Sequence, residues 1–267
     1  MNTANPNSGK LNIILNVFYP PVDELKRFIE LNSVSNGGMF VPVNGGSALK
    51  DEWSLKNMFM DSDGDDVISS LNPLLNELTS VYWYWKNRSH SEYVGFNHYR
   101  RIFDSSQILD FDAFDIIVSK PIYSNTTLSL AHQYAIYHVL SDLIACVNVM
   151  FDKVGSEWAK GFASYMSTSH TNLAPCNMYI MKRKLFDEWC SFIFPILFEL
   201  KGSICSTEDF SKRDNYQKRA LCFLTERIFN YWYYRKRESG LRTKEVDIVE
   251  HLDYKPSGVN ERGDYSK

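Results

Sequence analysis

The pentapeptide Asn97-His98-Tyr99-Arg100-Arg101 follows directly on the apolar run Tyr93–Phe96. Two guanidiniums and an imidazole at the end of a strand can engage a pyrophosphate, because the planar arginine fork matches paired phosphate oxygens. The plain alternative has Arg100 and Arg101 on opposite sides of an extended chain, one paired with an acidic neighbour and the other solvated. A second group is the acidic loop of Asp61, Asp63, Asp65 and Asp66. Oxygen-rich loops hold Mg²⁺ or Mn²⁺, with Asp63 and Asp65 the pair open to a metal here. The loop begins like an EF-hand, but the twelfth position counted from Asp61 is Asn72 rather than Glu, which excludes one. Without a ligand the loop reads as a solvated turn with an Asp capping the next helix.

A third group is Glu226-Arg227 within CFLTERIFNYWYY. A carboxylate can deprotonate a hydroxyl nucleophile held at about 2.6–3.2 Å; the alternative is a charge pair on one helix. His138 and Asp142 stand four apart and share a helical face, as a surface pair in the simplest reading.

Other chemistry is excluded by pattern. There is no zinc spacing, no P-loop, no G-x-G-x-x-G and no G-x-S-x-G. A net charge of −3 over 267 residues argues against non-specific nucleic-acid binding. The five cysteines, Cys146, Cys176, Cys190, Cys205 and Cys222, include no C-x-x-C pair and read as reduced, packed thiols of a cytoplasmic protein. No stretch approaches the roughly 20 apolar residues of a membrane span, and the start MNTANPNSGK does not read as a signal peptide. Between Lys212 and Lys244 basic residues outnumber acidic ones beside Tyr231, Trp232, Tyr233 and Tyr234. That end either rests on an anionic membrane or is a solvated helix terminus.

The elements that must position these groups follow from periodicity. LNIILNV, GMFVPVNGG, EYVGF, DAFDIIVS and PCNMYIMKR read as buried strands, and DELKRFIELN as a helix. Leu71, Leu74, Leu75, Leu78, Val81, Tyr82 and Trp85 predict one helix of about four turns after the acidic loop. Two helices are expected within 126–151 and 155–169, then a long apolar helix interrupted at Pro195, and a last one over about 216–237. Strands alternating with helices imply an α/β sandwich with a mainly parallel sheet, whose ligands bind beyond the carboxyl ends of the strands. The turns to search are Asn16–Phe18, Asn44–Gly46, Asp61–Asp66, Asn97–Arg101 and Lys120–Ser124. A flexible start (1–10), one domain (11–250) and a polar tail (251–267) complete the plan. The 15% aromatic share serves a bulky core or platforms for sugars, with core the simpler use.

The order of segments resembles a known family. GDDVISSLNPLLNELTSVYWYWKN, EYVGFNHYRRIF, CNMYIMKRKLFDEWCSFIFPILFEL and NYQKRALCFLTERIFNYWYY follow one another as in the bacterial family called domain of unknown function 4422. That family occurs in capsule and O-antigen loci and is regarded as a group of glycosyltransferases, some similar to galactofuranosyltransferases. The resemblance implies a GT-A-like fold with a helical C-terminal part. It also implies transfer of a sugar, such as galactofuranose from a UDP donor, to a surface polysaccharide or its lipid-linked precursor, with inversion. The acceptor would be met at the inner face of the membrane, by peripheral contact.

Residue by residue, the resemblance implies a donor and diphosphate site from His98, Tyr99, Arg100, Arg101, Asp65, Asp66, Asn72 and Glu77. Sugar or acceptor contacts fall to Asn177, His138 and Arg227, and the base to Glu226, with Asp142 second. The Asp-x-Asp that many GT-A enzymes carry after this strand is replaced by Asn97-His98-Tyr99-Arg100. The expectation is therefore departure of the diphosphate assisted by cations, with no required cofactor, and Mn²⁺ or Mg²⁺ kept open through the acidic loop. A sugar-phosphate nucleotidyl- or phosphotransferase, and a non-catalytic carbohydrate-binding subunit, are the competing readings.

Overall fold

A computed structural model of the chain describes residues 9–19, 23–49, 57–88, 91–121, 128–169 and 173–250. Residues 1–8 of the expected flexible start, the part of the expected turn beyond residue 121 and the tail 251–267 lie outside the described residues.

Strand β1 (Leu11–Val17) leads to helix α1 (Asp23–Asn32), β2 (Phe40–Asn44) and the short β3 (Phe59–Met60). Helices α2 (Asn72–Leu75) and α3 (Leu78–Asn87) precede β4 (Tyr93–His98), β5 (Arg101–Phe103) and β6 (Ile116–Ser119). Three helices follow, α4 (Leu130–Tyr137), α5 (Leu140–Val154) and α6 (Ser156–Ser167), then β7 (Tyr179–Lys182). The chain ends in α7 (Arg183–Cys205), α8 (Glu208–Ser211), α9 (Ala220–Glu238), β8 (Thr243–Val246) and β9 (Ile248–Glu250).

The strands form one sheet in the order β3-β2-β1-β4-β7-β6-β8, with β5 and β9 as a flap on β4. The β1–β2, β1–β4, β2–β3 and β6–β8 pairs are parallel. Strand β7 runs against both β4 and β6. The sheet is thus mainly parallel and flanked by helices, as expected, with one reversed strand near its middle.

The centre is buried on both faces, so β1 reads as a nearly continuous apolar run rather than an alternating one. Ile14, Val94 and Phe96 face a large cluster with α3, α5, α6, α7 and α9. Ile13, Leu15 and Val17 face a smaller one with α1 and the β5 region. Gly95 allows this centre to close, since a Cβ there would lie 3.0 Å from both Ile13 Cγ1 and Ile180 Cγ1. The aromatic surplus serves mainly the core. The fully buried Trp189 has its ring 5.2 Å from Phe229 and 5.4 Å from Trp232. Truncating such a ring to alanine costs about 3–5 kcal/mol.

Three local expectations are corrected. The helix predicted over Leu71–Trp85 is broken: α2 stops at Asn76, whose φ of 45° no helix tolerates, and α3 begins two residues later. The segment 126–151 holds two helices rather than one, separated at His138–Val139. Helix α7 runs on through Pro195, which sits inside it without ending it.

The basic-aromatic end of α9 is also resolved. Tyr231, Trp232 and Tyr233 are buried, and Arg235 and Lys236 pair with Glu157 and Glu188. No helix among the described residues is long and apolar enough to cross a membrane.

Candidate functional site

The parallel register brings Asn16 beside His98 and Val17 beside Asn44, so three strands end along one edge. Their ends are held from behind by Asp61. This carboxylate is fully buried and accepts from Gly46 N at 2.7 Å, Ser47 N at 3.0 Å, Ser47 Oγ at 2.8 Å and Ser69 Oγ at 2.5 Å. Four donors on one buried carboxylate replace the water it loses. Gly46 has a φ of 71°, and a Cβ there would lie 2.7 Å from Asn72 Cγ, so glycine is required. Asn72 itself is buried and spends its amide on Asn76 O and Thr79 Oγ1. Its work is to hold the joint between α2 and α3, behind the expected donor site.

That joint matters because it delivers Glu77. Its buried carboxylate accepts at Oε1 from Asn177 Nδ2 at 3.1 Å and from Cys222 Sγ at 3.2 Å. Beside it, Arg219 donates to Asn76 Oδ1.

The hub of the site is the turn Ala174–Asn177. Ala174 N donates to Asn230 Oδ1 at 2.7 Å, and Ala174 O accepts from Asn230 Nδ2 at 3.0 Å. Pro175 O accepts from Ser119 Oγ at 3.1 Å. Cys176 N donates to Glu226 Oε1 at 2.6 Å, Cys176 O accepts from His98 Nε2 at 3.0 Å, and Cys176 Sγ lies 3.4 Å from Arg101 Nη1. Cys176 and Asn177 both adopt the left-handed region, with φ of 69° and 52°. Two successive non-glycine residues there cost about 1–2 kcal/mol each, and such strain gathers at functional sites.

The Asn97–Arg101 segment is a tight turn, not an extended strand: His98 pairs with Arg101 across it. Arg100 is exposed, with its guanidinium 5.5 Å from the Tyr99 ring centroid, and Tyr99 is buried. Burial pushes the His98 pKa down, further lowered by Arg101 and Arg100 against the pull of Glu77 and of Cys176 O. His98 is therefore a neutral donor that anchors Cys176, and Arg100 and Arg101 supply the positive charge.

On α9, Glu226 Oε2 accepts from Arg227 Nη1 at 2.7 Å. Arg227 lies 5.5 Å from the Tyr134 ring centroid. His138 packs in a cluster of rings, 4.1 Å from Phe223 and 5.7 Å from Tyr216, which are themselves 4.9 Å apart. Burial, with Arg227 and Arg219 nearby, drives its pKa down to about 3. Around this pair three buried polar atoms have no protein partner: Asn177 Oδ1, His138 Nδ1 and Tyr134 Oη. Each orphan costs roughly 1–3 kcal/mol, which a ligand hydroxyl or an ordered water would recover.

The structure thus gathers His98, Arg101, Glu77, Asn177, Glu226, Arg227 and His138, with Arg100 exposed on the turn beside His98. It leaves others out. Asp142 is buried with both oxygens on Arg213, at 2.6 and 3.0 Å, so its expected role as second base falls away. Asp63, Asp65 and Asp66 are exposed, and Asp66 accepts from Tyr82 Oη at 2.7 Å. Among the described residues no three His, Cys, Asp or Glu side chains converge as a metal set. Cys222, Arg219, Asn230 and Asp61 belong to the site framework and were not singled out by sequence. A signal existed for three of them: Arg219, Cys222, Glu226 and Asn230 recur every three or four residues, as a polar stripe on an apolar helix.

The model of the family described as "Domain of unknown function (DUF4422)" matches residues 30–237. The chain belongs to the DUF4422 family. The match begins within α1 and so omits β1, the strand between β2 and β4, which shows that the DUF4422 fold in this chain extends beyond the matched segment. The apo structure of the bifunctional glycosyltransferase WbbM resembles this DUF4422 chain with a TM-score of 0.74 at 22% identity, over 94% of this chain and 47% of that one. The chain thus spans about half the length of that relative, and the two share the GT-A-like α/β fold. No curated protein matches the chain in sequence.

Proposed function

We propose that this DUF4422 chain is an inverting glycosyltransferase. It moves a sugar from a nucleotide-diphosphate donor, UDP-galactofuranose being the first candidate, to a growing capsule or O-antigen polysaccharide or its lipid-linked precursor. The observation that carries the reading is the ring of orphaned buried polar atoms around a carboxylate–guanidinium pair, set beside two arginines at the carboxyl end of β4. Orphans of this kind suit sugar hydroxyls, and the arginines suit a diphosphate. The shared fold with a glycosyltransferase supports it.

In the proposed step an acceptor hydroxyl lies against Glu226. Its oxygen attacks the anomeric carbon as the bond from that carbon to the diphosphate breaks, and the proton passes to the carboxylate. Cys176 N and Arg227 fix the carboxylate through one bond to each oxygen. A carboxylate has about four lone-pair sites, so two bonds leave room for the hydroxyl. The leaving diphosphate departs towards Arg100 and Arg101. Asn177, whose Nδ2 is held by Glu77, offers its orphaned Oδ1 to a donor or acceptor hydroxyl. Work on a lipid-linked acceptor requires peripheral contact with the inner face of the membrane.

The test is nucleoside diphosphate release from a panel of nucleotide sugars, with and without a lipid-linked acceptor. Acceptor-stimulated release that Glu226→Gln abolishes supports the reading. Release of pyrophosphate instead would replace it with the nucleotidyltransferase reading.

A further inference from the structure

Between α9 and α6 lies a cleft of about 640 Å³, a size typical of small-molecule sites. Its walls include Tyr165, Tyr231, Tyr233 and Tyr234, and Asn230 and Ala174 lie at one end. We propose that this cleft is the acceptor subsite, which holds sugar residues of the glycan that receives the transferred unit; the proposal rests on the transferase reading above.

Three observations point to a glycan. First, the half-exposed ring of Tyr234 offers a face to the cleft, and the buried rings of Tyr231 and Tyr233 back it. Tyr165 lies between Tyr231 and Tyr234, with centroids 5.6 Å and 6.0 Å away, and Tyr234 is 37% exposed. Flat aromatic surfaces with polar tips suit the C–H faces and hydroxyls of a sugar.

Second, the charges at the rim are balanced. Arg235 Nη2 meets Glu157 at 2.9 Å, and Arg237 lies 3.9 Å from Glu245. Paired charges of both signs leave no net field to attract a phosphate, while their remaining donors and acceptors suit neutral hydroxyls.

Third, two residues of the lining, Asn230 and Ala174, connect the cleft to the proposed reacting centre. Asn230 stands four residues after Glu226 on α9 and donates to its backbone oxygen at 2.8 Å. At 1.5 Å per residue the two are about 6 Å apart along the helix, near the length of one sugar unit. Asn230 also holds Ala174, two residues before the Cys176 amide that grips the Glu226 carboxylate. A chain lying in the cleft would present its terminal hydroxyl to that carboxylate.

The shape of the cleft also depends on Gly161 of α6. A Cβ there would fall 1.9 Å from Tyr231 Oη, so only glycine lets that ring stand where it does.

The test uses the full chain with Tyr234→Ala, Tyr165→Ala and Tyr234→Phe, on an array of bacterial surface-polysaccharide fragments, beside a calorimetric titration with UDP. Losing one stacking face should weaken glycan binding about tenfold. The alanine variants should show this loss while the UDP affinity stays as in the parent; Tyr234→Phe should keep glycan binding, and Tyr234→Ala, whose ring is half exposed, should keep the thermal midpoint as well. In the transfer assay the acceptor KM should rise and the donor KM should not. Glycan binding that is unchanged in both alanine variants overturns the proposal, as does a parent chain that retains no glycan. If no donor releases a nucleoside diphosphate yet the alanine variants lose glycan, the transferase reading fails and the cleft stands as a glycan site.

Discussion

The amide of Cys176 donates to Glu226 Oε1 at 2.6 Å, while the carbonyl of the same residue accepts from His98 Nε2 at 3.0 Å. One strained peptide therefore connects the end of β4 to the middle of α9, and the proposed base is positioned through the backbone.

Replacing Glu226 with Gln keeps an acceptor for the Cys176 amide but removes the base. The rate of transfer is expected to fall about 100-fold or more, with donor KM little changed. Single-turnover kinetics and a thermal melt check this. A parent-like rate would remove Glu226 from the chemistry.

Arg100→Ala and Arg101→Ala should each lower kcat/KM for the donor about 10- to 100-fold, the loss of one charge-assisted contact of about 1.5–3 kcal/mol. The positive charge in this scheme belongs to the chain, so transfer should persist in EDTA. Activity restored only by Mn²⁺ would redirect the diphosphate towards the Asp63 and Asp65 loop.

Asp61→Ala should destabilise the fold by about 3 kcal/mol, because the amides of Gly46 and Ser47 and the hydroxyl of Ser69 lose a charged acceptor in a buried place. Urea denaturation reads this directly. Because the turn after β2 loosens, donor affinity should fall as well.

His138 sets an acid limb. Its folded pKa is about 3, against an ordinary 6.5. Below pH 6.5 the unfolded chain takes a proton that the folded chain refuses, so its stabilising contribution is full above 6.5 and drains away as the pH falls towards 3. The whole effect is on the order of 4 kcal/mol. His138→Phe keeps a ring against Phe223 and removes the titration, so its stability should fall less steeply between pH 6.5 and 4. Equal slopes for the two proteins would show that other groups govern this limb.

Strands β1, β2, β4, β6 and β7 and their ends were legible, because buried strands are short apolar runs closed by Pro, Gly and Asn, as in LNIILNV and FVPVNGG, whereas β3, β5, β8 and β9, two to four residues each, carry too little pattern to be read. The break at Asn76 was not legible, since the apolar spacing of Leu71 to Trp85 continues across it. Tertiary bonds from Asn72 and Arg219 to Asn76 accompany the break. In the site, Glu226, Arg227, Asn177 and the Arg pair were visible as residue types at strand and helix positions. Asp142 carried the same sequence signal as Glu226, and only the third dimension supplies Arg213 to neutralise it. Asp61 looked like its exposed neighbours Asp63 and Asp65, although it is fully buried. Charge and spacing do not reveal which member of an acidic loop folds inward.

The flap made by β5 and β9, and the pairing of β8 with β6, join the last strands of the chain to partners laid down much earlier. A chain emerging from the ribosome must therefore carry one side of β5 and one side of β6 unpaired until residues 243–250 are made. Bare strand edges invite pairing with neighbouring chains, and contacts this distant in sequence form slowly. Shortening the chain to residue 240 would leave α9 with its Glu226 intact but those edges permanently open, and aggregation during synthesis is the expected fate of such a fragment.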